Sequence, residues 1–105
     1  MGEQRAEVTI THHVQGQGGS YVAVVEDSTQ EAYLKWEPGG IKNGKEVRIA
    51  AHTVVPQAIS GRGVAAQLVG RLVADAERLG FLIRPDCSYV AAKFEENPDW
   101  AALKA

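Results

Sequence analysis

Two side chains and one turn hold most of the chemistry this chain could perform. Cys87 follows Asp86 at the expected start of a helix. With Asp86 as the cap it becomes the first helical residue, where the helix dipole lowers a thiol pKa and the Asp86 charge works against that effect. Cys87 also shares a helical face with Val90, Ala91 and Phe94, the setting of a small buried core residue, so both readings stand. His52 is of a residue type able to deprotonate an amine, or to serve as a hydrogen-bonded structural histidine. The turn Ser60-Gly61-Arg62-Gly63-Val64-Ala65-Ala66 joins an extended apolar segment to a periodic one. Its glycines let backbone approach a ligand without an intervening Cβ. The first N–H groups of the helix that follows have no intrahelical partner and sit at the positive end of its dipole, which suits a phosphate or pyrophosphate.

Other chemistries fit less well. A Walker A loop needs Gly-x-x-x-x-Gly-Lys-Ser/Thr, which the sequence lacks. Gly61, Gly63 and Ala66 formally satisfy a dinucleotide fingerprint, with Asp86 at a suitable distance, but that fold needs several strand–helix units and only one is present. His12 and His13 are adjacent on a strand and point to opposite faces, so at most one can join His52, and no ligand spacing completes a metal site.

The elements that position these residues fall into two halves. Glu7 to His13, Tyr21 to Val25, Glu31 to Trp36 and Val47 to Val55 read as strands, rich in β-branched or alternating residues. Gly16 to Gly19 and Pro38 to Gly44 read as loops, and the short connections predict an antiparallel meander. On the fourth strand, simple alternation groups His52 with Arg48 and Ala50, opposite Val47, Ile49, Ala51 and Thr53. From Val64 to Leu79 the period changes: Val64, Leu68, Leu72 and Ala76 recur every four residues, while Gln67, Arg71, Asp75 and Arg78 take the other side. Gly80 ends this helix, and Gly70 in its middle predicts a close packing contact. Phe81 to Ile83 is a short strand stopped by Pro85, so strand, helix and strand should form a right-handed parallel crossover. Asp86 caps a helix to about Glu96, and Asn97-Pro98 opens a last short one. Trp36 and Trp100 read as core or edge anchors, and Glu26, Asp27, Glu95 and Glu96 as solvated carboxylates.

The 105 residues suit one domain, 1–105, with a composition 45% hydrophobic and 23% charged and a net charge of -2. Mild acidity argues against a nucleic-acid surface. No apolar run approaches a membrane span, Met1 to Arg5 precede no signal-peptide core, and Ala6 stands where myristoylation expects Ser or Thr. The single cysteine excludes an internal disulfide and fits a reducing compartment, so a cytoplasmic protein is expected.

A mainly antiparallel sheet followed by strand–Gly-x-Gly-x-Ala–helix–strand–helix resembles the GNAT acyltransferase superfamily. The superfamily motif is Arg/Gln-x-x-Gly-x-Gly/Ala, for which Gly63-Val64-Ala65 supplies the last three positions and Ser60 departs from Arg or Gln. His52-Thr53-x-Val55-Pro56, then Gly61 to Ala65, then Pro85-x-Cys87-Ser88-Tyr89-Val90 resemble the minimal, stand-alone GNAT-like family that includes N-acetyltransferase domain-containing protein 1. The resemblance covers Val22 to Leu103. It implies an α+β, GNAT-like fold and a small N-acyltransferase using acetyl-CoA, with an amine attacking the thioester directly. The alternative on the same fold is a non-catalytic CoA-binding or interaction module. By this resemblance the Ser60 to Ala66 backbone (Ser60, Gly61, Arg62, Gly63, Val64, Ala65 and Ala66) cradles the pyrophosphate of acetyl-CoA, with Arg62 adding charge. Thr53, Val54 and Val55 run beside the pantetheine arm, with His52 near the CoA-facing end of that strand. Cys87 is then placed near the acyl group as acid, base or acyl carrier. Tyr89 matches a tyrosine that larger members use as general acid, or its ring simply packs. Full-length members carry helices between their first two strands that build an acceptor pocket. Here only Gly16 to Gly19 joins them, which implies an open acceptor side suited to a small amine or a protein tail.

Overall fold

The computed structural model describes residues 7–105. The N-terminal residues weighed above for a signal peptide or a lipid site lie outside that range. The elements run β1 (Val8–Gln15), β2 (Gly18–Val25), β3 (Glu31–Lys42), β4 (Lys45–Val54), α1 (Val64–Leu79), β5 (Leu82–Pro85) and α2 (Ser88–Glu96), with short 3-10 helices at Gln57–Ile59 and Pro98–Leu103. The sheet has five strands in the order β1-β2-β3-β4-β5. The first four are antiparallel neighbours, and β5 pairs parallel to β4 after the α1 crossover. This is the α+β arrangement expected for a GNAT fold.

One face of the sheet is covered. Tyr21, Ala23, Ala32, Leu34, Trp36 and Ala50 meet Leu68, Val69, Leu72 and Val73 of α1 and Val90 and Phe94 of α2 in a single core. The four-residue recurrence of α1 supplies the apolar stripe for this packing. Trp36 is in the core, and Trp100 packs against its margin with its ring edge-on to Phe94. The other face stays open over β1 to β4, where Thr11, Tyr33, Lys35, His52 and Val54 are exposed.

Several loops expected from glycine and proline are strands instead. The β1–β2 connection is only Gly16-Gln17, and Gly18 and Gly19 belong to β2. A Cβ on Gly19 would meet the Trp36 ring at 2.9 Å and the His13 carbonyl at 2.6 Å, so this glycine admits the tryptophan rather than making a turn. Pro38-Gly39-Gly40 likewise continues β3 through an irregularity in pairing between Pro38 and Ile41. A Cβ on Gly39 would meet Val47 and Ile49 side chains at 2.8 and 2.9 Å. The turn proper is Asn43-Gly44, both at positive φ (53° and 78°), as a two-residue hairpin turn requires. The β1 strand also extends to Gln15, beyond the His13 boundary expected.

The alternation expected along β4 is broken. Leu34 pairs with Thr53 and Lys35 with His52, but Trp36 pairs with Ala50, which leaves Ala51 as an extra residue. Across this bulge Thr53 returns to the covered face with Ala50. His52 is thereby on the opposite face from Arg48 and Ala50, not with them. The Arg48 guanidinium lies between the Trp36 and Phe81 rings, 4.3 and 4.0 Å from their centroids, and Nε donates to Glu46 at 2.8 Å.

Helix α1 differs from expectation at two residues. Asp75 is not on the solvated side: it is 3% exposed and accepts a hydrogen bond from the Tyr21 hydroxyl at 2.8 Å. Burial opposes its charge, but bonds from Tyr21, Arg78 and Arg71 hold its carboxyl below the usual carboxylate range. The same burial and the adjacent carboxylate push the Tyr21 phenol up. Gly70 makes no close contact, because it is exposed and an added Cβ would meet nothing within 4 Å. Gly70→Ala should therefore stabilise the protein by about 1 kcal/mol, read from denaturant midpoints at unchanged slope.

His12 stacks on Tyr21 with ring centroids 4.3 Å apart, and its Nε2 accepts from the Trp36 indole N–H at 3.0 Å. Burial, then the Arg48 charge, lower its pKa below the ordinary 6.5. The unfolded chain therefore takes up this proton first, and the stability His12 contributes is complete above that value and lost as pH falls through it. Thermal melts between pH 8 and 5 should show this loss in the wild type and a smaller one in His12→Gln.

Candidate active site

Strand β4 runs farther than its parallel partner. The β4–β5 pairing covers only Val47 to Ala50 against Leu82 to Pro85, and the Cys87 N–H then bonds the Ala50 carbonyl at 2.9 Å. Beyond that bond the chain turns into α2, so β5 does not accompany β4 past the bulge. Residues 52–54 keep β3 on one side, and residues 51–54 have no β5 partner on the other.

Past β4, Pro56 begins a short 3-10 turn closed by the Ser60 N–H and hydroxyl, both bonded to the Gln57 carbonyl, at 3.2 and 2.9 Å. Ser60 thus faces back into its own turn. Gly61 and Gly63 have φ of 75° and 76°, the left-handed region a side chain disfavours. Gly63 is the N-cap of α1 and contributes no side-chain cap; the first helical bond runs from the Gln67 N–H to its carbonyl. The N–H groups of Val64, Ala65 and Ala66 precede that bond and point out of the helix end. A Cβ on Gly61 or Gly63 would meet nothing within 4 Å, so these glycines border free space.

That space is a pocket of about 270 Å³ lined by Val55, Ser60, Gly61, Gly63, Val64, Ala65, Ala66 and Tyr89. The end of β4, the glycine turn and α2, far apart in sequence, therefore converge on one concavity. Arg62 is outside this lining. Its Nη1 donates to Asp27 at 2.9 Å, which ties the turn to the β2–β3 connection.

Cys87 is the N-cap of α2 and not its first helical residue, because Asp86 is engaged by Arg84 through two bonds of 2.9 Å. It is partly buried, and its Sγ donates to the Thr53 hydroxyl at 3.5 Å. Burial alone raises the thiol pKa. The Thr53 hydroxyl and the backbone N–H groups of Val90, Tyr89 and Thr53 outweigh it, and the net shift is downward. Cys87, Thr53 and Tyr89 therefore meet where β4 loses its partner. His52 is separate, exposed on the open face beside Lys35. Val54 is also exposed, with Tyr33 as its cross-strand partner. Among the described residues, no group of three or more histidine, cysteine, aspartate or glutamate side chains converges as a metal site. No helix in them is long and apolar enough to cross a membrane, which says nothing of membrane-spanning strands.

The thiol partner of Thr53 and the carboxylate partner of Arg62 have no signal in the sequence. Both depend on the bulge at Ala51 and on how the β2–β3 turn reaches over the sheet end.

Strand order, a crossover helix entered through a glycine turn, and a strand edge freed beside that turn define an acyltransferase-type fold. The chain belongs to the GCN5-related N-acetyl-transferases, whose family model matches residues 20–103. No curated protein matches it in sequence comparison.

Removing the Thr53 hydroxyl should raise the Cys87 pKa. Thr53→Val is expected to shift the midpoint of the pH-dependent iodoacetamide alkylation of Cys87 upward and slow the reaction at neutral pH. An unchanged midpoint would show that the backbone donors alone set it.

Proposed function

We propose that this acetyltransferase domain moves the acetyl group of acetyl-CoA to an amine by direct attack at the free edge of β4. The observation that carries the reading is the 51–54 backbone left without a β5 partner, leading straight to the glycine turn. An extended pantetheine arm, with its amide groups, complements such an edge as an added strand. The pyrophosphate then meets the Val64, Ala65 and Ala66 N–H groups, where the pocket is open and the dipole is favourable. Thr53, Val54 and Val55 supply the strand, and Ser60 to Ala66 the cradle.

The reaction needs a neutral nitrogen, a polarised carbonyl and a proton for the departing sulfur. The nitrogen lone pair forms a bond to the thioester carbon, the carbon–sulfur bond breaks, and the proton lost by nitrogen ends on the thiolate. Positioning supplies much of the acceleration, and a β4 backbone N–H polarises the carbonyl oxygen. Cys87 with Thr53, and Tyr89 on the pocket wall, are the groups placed to relay a proton to sulfur. His52 lies on the side from which an amine approaches and serves as its base.

A non-catalytic CoA-binding module is the second reading. Ser60, turned back on Gln57, and Arg62, held by Asp27, leave the cradle to backbone alone, as a binder needs no more. Calorimetry with acetyl-CoA, followed by CoA release with a panel of amines, separates the two. The enzyme reading requires release that depends on acceptor and falls in Cys87→Ala, Tyr89→Phe or His52→Ala.

Ala66→Glu tests the cradle without straining it. A carboxylate in the first turn of α1 favours the helix, so melting should hold or rise, while CoA affinity should fall by about tenfold or more through repulsion of phosphate. Retained affinity would place the pyrophosphate elsewhere. Gly63→Ala should lower both affinity and stability, the latter by about 1–2 kcal/mol for its left-handed backbone.

A further inference from the structure

We propose that the Arg62–Asp27 pair is a latch on the phosphate cradle: acetyl-CoA replaces Asp27 with its own diphosphate as the partner of Arg62. The proposal rests on the acetyl-transfer reading above and adds to it a charged contact, with a basis for choosing CoA over ligands that lack a diphosphate.

The cradle is short of charge. Toward an anion it presents the Val64, Ala65 and Ala66 N–H groups and the dipole of α1, a partial charge only. Ser60 adds no donor, since its hydroxyl is turned to the Gln57 carbonyl at 2.9 Å. From Pro56 to Gly70 the sequence has one charged side chain, Arg62. Its neighbours Gly61 and Gly63 both line the pocket of about 270 Å³, and their Cα atoms lie about 3.8 Å from its own. Arg62 therefore stands at the pocket rim, with its guanidinium turned away toward Asp27.

Little pins the guanidinium there. The bond from Nη1 to Asp27 at 2.9 Å is the one hydrogen bond it makes among the described residues, so the rest of its donor fork is unused. The Arg62 and Asp27 side chains are 41% and 72% exposed, and an exposed pair held by a single bond is weak. The way toward the pocket is clear: a Cβ on Gly61 or Gly63 would meet nothing within 4 Å, and neither neighbour carries a side chain. A diphosphate offers paired oxygens that match the guanidinium fork, and a bidentate, charge-assisted contact is stronger than the single bond it replaces. No covalent bond changes in the exchange, and the Asp27 carboxylate passes to water. A ligand with the pantetheine arm alone occupies the β4 edge and leaves the pair intact.

Calorimetric titration of the full chain with CoA, and with pantetheine as the ligand without a diphosphate, tests this in Asp27→Asn, Arg62→Gln and the double variant, with thermal melts to confirm folding. Asp27→Asn should bind CoA about three- to fivefold more tightly than the wild type, because its guanidinium is already released, and Arg62→Gln about tenfold more weakly. The double variant should bind like Arg62→Gln, since the gain is lost with the residue that produces it. Pantetheine affinity should be unchanged across the four proteins. CoA should also shift the backbone amides of residues 26–28, which lie outside the pocket lining, in the wild type and not in Arg62→Gln. Weaker CoA binding in Asp27→Asn would leave the pair a brace only, and a gain that survives in the double variant would leave Asp27 a repelling charge only. Either result overturns the exchange, as does pantetheine affinity that follows the CoA pattern. Equal CoA affinity in all four proteins overturns it with the cradle reading intact. If none of the four binds CoA, the cradle reading fails and the exchange with it.

Discussion

One backbone hydrogen bond, from the Cys87 N–H to the Ala50 carbonyl, decides where the parallel part of the sheet stops. Past it the chain enters α2, and the edge of residues 51–54 keeps no β5 partner. With it, the polypeptide leaves the sheet, Cys87 caps α2, and its thiol comes to rest on Thr53. The Ala51 bulge lies immediately beyond this bond and turns Thr53 inward and His52 outward. The acid–base candidates are thus divided between two faces of one strand, with the proposed thioester path running between them.

The glycine turn depends on the same geometry from the other direction. Gly61 and Gly63 take left-handed φ, and this is what allows the chain to leave the 3-10 turn after Pro56 and enter α1 with its first N–H groups uncovered. Arg62 and Asp27 brace that turn from outside, an exposed pair of small energetic weight whose effect is on position. Deeper in the core, Asp75 with Tyr21, Arg71 and Arg78 fastens α1 to the sheet, so the end of the helix is set by contacts two to three turns away.

What was legible in the sequence followed from period and punctuation. The α1 stripe and its Gly80 end are found where the four-residue recurrence put them, and Ala32, Leu34 and Trp36 face inward as alternation requires. Glycines misled where they serve a neighbour: Gly19 and Gly39 are small because Trp36 and Val47 press against them, and both read as loop. Gly70 misled in the opposite sense, since nothing presses against it. The β4 bulge was invisible because an extra residue leaves composition unchanged and reverses every side chain beyond it. At the site, the motif order located the turn, the end of β4 and the start of α2. The Cys87–Thr53 bond and the Arg62–Asp27 bond were not legible, since each joins residues more than thirty positions apart.

The two borders of the sheet are unlike. At the β5 border the chain's own Lys104 and Ala105 lie alongside, with the Ala105 N–H bonded to the Ile83 carbonyl at 2.8 Å. At the β1 border, Arg71 of α1 reaches over to the Ile10 carbonyl at 3.2 Å, and among the described residues no strand pairs with the outer edge of β1. A sheet with two free borders can recruit copies of itself without end, but one closed at one side can be extended only at the other. Joining two such molecules β1 to β1 consumes both of those borders at once, and the short 51–54 edge of β4 is then what each molecule keeps for a further strand.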